Sequence, residues 1–168
     1  GTQKDYNTRK LIERQVHRRH WRALMESGCG LHDITKRAGL LWLFARWAKR
    51  DATLRTTLSR CLTNGPGKSF AQRMRFLFAA EQTRDAVHLR AVTSLFHKDP
   101  RTPVKERALL AASHLPGGIA LAQGALSSED PGIVATAVSV LGTRPLPEKL
   151  LTLFTSQIPF VSEAISRY

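Results

Sequence analysis

The chain has 168 residues, room for one domain or two small ones, and its 42% hydrophobic and 23% charged residues are ordinary for a globular protein. Two cysteines exclude a disulfide-rich scaffold, and no apolar run approaches the ~18 residues of a membrane span. The charge is unusual: 26 Lys and Arg stand against 13 Asp and Glu, a net of +13. Residues 1–75 hold 17 basic and 5 acidic side chains while residues 76–168 hold 9 and 8, so nearly all the excess sits in the first half. That asymmetry points to an anionic partner: nucleic acid, an anionic membrane surface or an acidic protein.

Residues 7–26 read as the first helix, with Asn7 or Thr8 as N-cap and the Ser27-Gly28-Cys29-Gly30 run as its end. On a helix, Lys10, Arg14, Arg18 and Arg22 fall at successive i, i+4 steps and form one stripe roughly 18 Å long. Leu11, Ile12, Val16, Trp21 and Leu24 form a second, core-facing side. Like charges at this spacing repel. The stripe is therefore either a solvated face or a contact for phosphates, extended by Arg46, Lys49 and Arg50.

Asp33 caps a second helix over about 34–49, apolar on more than one side through Leu40, Leu41, Leu43, Phe44, Trp47 and Ala48 and so expected to be central. In this reading Trp42 and Trp47 serve the core more readily than they stack on bases. Asp51 caps a short helix through Leu54, Leu58, Cys61 and Leu62, and residues 63–67 form a turn rich in glycine and proline. Ser69 opens a helix with Phe70, Met74, Leu77 and Phe78 on one face; Thr83 opens another with Leu89, Val92, Leu95 and Phe96 inward. No segment sustains a period of two, so strands are not expected. Pro147 to the C-terminus adds two helices broken at Pro159, and the opening Gly1-Thr2 suggests a processed piece.

Little in the chain points to catalysis. Gly67-Lys68-Ser69 resembles the end of a phosphate-binding P-loop, but Leu62 stands where the loop needs glycine, so a turn capped by Ser69 is expected. None of the six histidines makes a zinc spacing with the cysteines, and His20 reads as a partly buried, hydrogen-bonded residue on the first helix. Cys29 and Cys61 read as free thiols of a reducing compartment. No paired carboxylates stand out. The expectation is a protein that is not an enzyme, with no cofactor, no metal and no small-molecule substrate.

Three resemblances add to this reading. Asp33-Ile34 followed by Ala38-Gly39-Leu40 resembles the start of a repressor helix-turn-helix, but Leu41 and Trp42 stand where that family places a small polar cap, so one continuous helix is expected. Asp99-Pro100 and Asp130-Pro131 recur 31 residues apart, followed by Val104, Ala108 and Ala112 in one case and by Ile133, Ala137, Leu141 and Gly142 in the other. Residues 97–168 thereby resemble the short HEAT-like repeat, which implies stacked helical hairpins and a protein-binding surface. Residues 21–28, Leu31 and 67–71 are similar to cytoplasmic domains of the inner-membrane platform proteins of type II secretion and type IV pilus systems. That resemblance implies a basic helical module of a membrane-associated assembly; the family's later Gly-Glu motif has no match here.

The fold expected is all-α: a basic helical bundle over 1–82 packed on HEAT-like hairpins over 83–168, as two units or one continuous domain. The function expected is a cytoplasmic, non-catalytic binding or scaffold module, with nucleic acid or an anionic membrane surface on the basic half and protein on the other. The platform-protein reading is the alternative.

Overall fold

The computed structural model describes residues 16–30 and 34–142. The described residues contain no strand, and the all-α expectation holds. Eight helices follow in order: α1 (Trp21–Cys29), α2 (Ile34–Arg50), α3 (Arg55–Cys61), α4 (Phe70–Thr83), α5 (Leu89–Lys98), α6 (Thr102–Ser113), α7 (Ile119–Ala125) and α8 (Pro131–Gly142). Short 3₁₀ turns at Arg18–His20, Ala52–Leu54 and Ala86–His88 lead into α1, α3 and α5.

Side-chain caps set most of these starts. Ser69 Oγ accepts the Gln72 N–H at 3.2 Å while Gln72 Oε1 accepts the Ser69 N–H at 3.1 Å, a reciprocal capping box. The Gly-Lys-Ser run is thus a helix entrance. Four aspartates share a second device: each accepts the N–H two residues on, at 3.0 Å for Asp51, 3.1 Å for Asp85, 3.0 Å for Asp99 and 2.9 Å for Asp130. Three of them also bond an earlier helix. Ser59 of α3 donates to Asp85 at 2.8 Å, Arg73 of α4 pairs with Asp99, and Thr102 of α6 donates to Asp130 at 2.7 Å. Each turn is thereby tied to a helix earlier in the chain.

Helices α2, α4, α6 and α8 follow one another side by side. α1 lies on α2 and α3, α3 on α2 and α4, α5 on α6, and α7 on α6 and α8. One core runs from Trp21 to Leu115, with Trp47, Phe44, Phe76 and Met25 among its largest fully buried side chains. Ala108, Ala111 and Ala112 are fully buried on α6, where small side chains let neighbouring helices approach closely. A second cluster joins Leu109 to Ala122, Ala125, Ile133, Ala137, Val140 and Leu141. Leu141 is 4% exposed within it. Leu141→Ala should destabilise by about 2–3 kcal/mol, the low end for a buried leucine because the cluster is small. A urea melt unchanged within error would show that Leu141 is not a packing residue.

Several expectations are corrected. The first helix does not run unbroken from Asn7: His17 is extended (ψ 140°) and caps the 3₁₀ turn, and the Trp21 indole N–H donates to Val16 O at 3.2 Å. On α1 itself Trp21, Met25 and Gly28 are buried, and Leu24 is 42% exposed. His20 is exposed, its Nε2 accepting from Arg19 Nε at 3.2 Å. Phe70 is also exposed, lying under the Arg101 guanidinium at 5.1 Å. Thr83 closes α4 rather than opening α5, because its hydroxyl donates back to Ala80 O at 2.7 Å; Asp85 does the capping. The cysteines are not free: Cys29 at the end of α1 and Cys61 at the end of α3 form a disulfide, with Cα atoms 4.9 Å apart. The packing of α1 on α3 brings together residues 32 apart in sequence, which spacing alone does not reveal. α2 runs straight through Ala38-Gly39-Leu40, as one continuous helix requires. Lys10, Arg14, Leu11, Ile12, the Asp33 cap and everything beyond Gly142 lie outside the described residues.

Candidate anionic-partner interface

The last turn of α2 ends in Lys49 and Arg50, both exposed, where cations complement the negative end of the helix. The turn before α1 reaches this point. Arg18 Nη2 donates to Arg50 O at 3.1 Å, and Arg22 Nη2 donates to Thr53 O at 3.3 Å. The same Arg18 guanidinium lies 5.4 Å from the Trp21 ring centroid. Trp21 in turn stacks on Trp47, 5.1 Å between centroids and 4° between planes. The core aromatic pair thus fixes α1 against α2, while Arg18 crosses to the end of α2 and Arg22 to the 3₁₀ turn that follows it.

Of the seven cations singled out in the sequence, the structure gathers Arg18, Arg22, Lys49 and Arg50 at this edge. Arg46 lies one turn earlier on α2, its guanidinium 4.7 Å from the Trp42 ring centroid. Lys10 and Arg14 are not among the described residues. Arg18 and Arg22, the described half of the four-residue stripe, belong to an edge built from two elements. A guanidinium carries five N–H donors, so one bond to a carbonyl leaves others for a phosphate. Trp47, 1% exposed, is core and does not offer a face to a base.

One acid sits beside the edge. Asp51 is held below the usual carboxylate range by its hydrogen bonds from the Thr53 hydroxyl and N–H, with Arg18 and Arg22 adding to the effect and burial opposing it. It is therefore ionised and neutralises part of the local charge. Arg19, exposed in the same turn, went unremarked in the sequence; its position beside Arg18 was the available signal.

Two further polar clusters were invisible in the sequence. Asp99, with its side chain fully buried, accepts Arg101 Nε and Nη2, both at 2.8 Å, and pairs with Arg73. Arg101 above all, and Arg73 as well, hold its carboxyl far below the usual range against the opposing effect of burial. Asp99→Ala should cost about 2–3 kcal/mol: it removes a buried ion-pair partner and a turn hydrogen bond from the Arg101 N–H, but both arginines are partly exposed and regain water. Because the folded carboxyl titrates below its unfolded value of about 3.9, this contribution is complete above that pH and fades as pH falls further. A denaturation series below pH ~4 should show a shallower acid decline for the variant; parallel curves would contradict the role.

Ser59, Asp85 and His88 also meet, with Ser59 Oγ 2.8 Å from Asp85 Oδ2 and 2.8 Å from His88 Nε2. Burial lowers the His88 pKa, with Asp85 opposing. The carboxylate faces the serine rather than the imidazole, so it does not orient the histidine as a general base. The cluster links α3 to the turn before α5.

Among the described residues no three His, Cys, Asp or Glu side chains converge as a metal site requires. No described helix is long and apolar enough to cross a membrane. Comparison with protein-family models, curated proteins and solved structures gives no match.

Proposed function

We propose that the chain is a non-catalytic binding module whose basic edge holds a nucleic-acid backbone and whose later helices present a protein-binding surface of HEAT-like type. The observation that carries the first part is the convergence of exposed Arg18, Arg22, Lys49 and Arg50 where α1 meets the end of α2. Phosphate contacts of this kind position a strand without reading its sequence. The second part draws support from the succession α2, α4, α6, α8 and from helices that open at Thr102, close after Asp99-Pro100, and at Pro131 of Asp130-Pro131. The Cys29–Cys61 bond favours an oxidising setting over the reducing cytoplasm.

A titration of the oxidised chain with labelled single- and double-stranded oligonucleotides, across salt and beside vesicles of anionic lipid, tests this reading. Binding to oligonucleotides of unrelated sequence with similar affinity, weakening steeply with salt, is expected. Binding to anionic vesicles without binding to oligonucleotides would overturn it in favour of a membrane-associated assembly platform.

A further inference from the structure

We propose that a cleft between the end of α4 and the α6–α7 turn binds the phosphate head of a small phosphomonoester, separately from the basic edge. The cleft holds about 330 Å³ and is lined by Arg84, Ser113, His114, Pro116 and Ile119. Arg84 is the one non-glycine residue with positive φ among the described residues (φ 54°, ψ 28°). A helix C-terminus of this shape ordinarily takes glycine, because a side chain there strains the backbone. The chain keeps an arginine instead, and that arginine lines a cavity. Retained strain of this kind marks functional positions.

The surrounding groups leave Arg84 available. No ion pair or side-chain hydrogen bond holds its guanidinium among the described residues. The neighbouring carboxylate, Asp85, is engaged by the Ser59 hydroxyl at 2.8 Å and the Val87 N–H at 3.1 Å. Across the cleft, Ser113 Oγ donates to Leu110 O at 2.8 Å, and His114 Nδ1 lies 3.0 Å from the same carbonyl. Nδ1 also lies 3.1 Å from Ser113 Oγ. With Nδ1 turned to these two neighbours, Nε2 is the ring nitrogen that meets a phosphate oxygen beside the Arg84 fork. The rim between them is closely packed: Gly117 has φ +79°, and a Cβ on Gly118 would collide with the Ala112 carbonyl. Pro116 and Ile119 supply an apolar wall for the body of the ligand. A forked cation, an imidazole and an apolar wall in one cleft fit a phosphate on a small organic group.

The test uses phenyl phosphate as probe, with benzoate as the carboxylate control, followed by backbone amide shifts of the whole chain. The expected result is a saturable shift at residues 113–118 with phenyl phosphate. Arg84→Gly should melt no lower than the wild type, since glycine relieves the strain, yet bind about tenfold or more weakly because a charge-assisted hydrogen bond is removed. His114→Gln, a second variant, should also weaken binding. Unsaturable shifts in the wild type, an unchanged affinity in Arg84→Gly, or benzoate binding as tightly as phenyl phosphate would each overturn the assignment.

Discussion

Trp47→Ala should destabilise the protein by about 3–5 kcal/mol, the largest effect expected of any single substitution here. Trp47 is 1% exposed, stacks on Trp21 and lies tilted against Phe44 with ring centroids 5.7 Å apart. It packs α2 against α1 through Trp21, so its removal takes away buried area and aromatic pairing together. Trp47→Phe makes a sharper test. The indole N–H of Trp47 is buried without a hydrogen-bond partner among the described residues. Phenylalanine is smaller but also removes a donor whose desolvation costs about 1–3 kcal/mol. It should therefore cost well under half of what alanine costs in a urea melt. Equal destabilisation by the two variants would show that the unpaired N–H carries no penalty.

Replacing both cysteines, Cys29→Ala with Cys61→Ala, should lower stability by about 3–4 kcal/mol, because the bond closes a loop spanning 32 residues and limits the unfolded chain. Dithiothreitol should lower the wild-type melting temperature and leave the double variant unmoved. Alkylation under non-reducing, denaturing conditions should find no free thiol. Two alkylated cysteines would contradict the bond and return the molecule to a reducing compartment.

The legible parts of this fold were those written in local chemistry. Asp99-Pro100, Asp130-Pro131 and Ser69 announce helix starts because capping uses residues next to one another in sequence, and α2 was legible from its apolar density. What sequence could not supply was spatial. Nothing local joins Cys29 to Cys61, or turns Arg73 toward Asp99. The break at His17 reflects a competition that periodicity does not register: the cation spacing fits one long helix, but the Trp21 indole takes the Val16 carbonyl and the chain turns there. The register error followed from it, with Leu24 assigned to the core and Met25 overlooked. Five of the seven cations expected at the binding edge fall among the described residues, and the link from Arg18 and Arg22 to the Arg50 and Thr53 carbonyls came from packing.

The basic edge is the central claim, and its most direct test is the salt dependence of duplex binding in a triple variant, Arg18→Ala, Arg22→Ala and Lys49→Ala. Alanine is the best helix former, and Trp21, Met25 and the disulfide still hold α1, so circular dichroism should be unchanged. If the three side chains each neutralise a phosphate, the slope of log affinity against log salt should flatten by about 2.7, or about 0.9 for each phosphate no longer neutralised. A triple variant that keeps the wild-type affinity and slope would contradict the claim and leave these cations as a solvated edge.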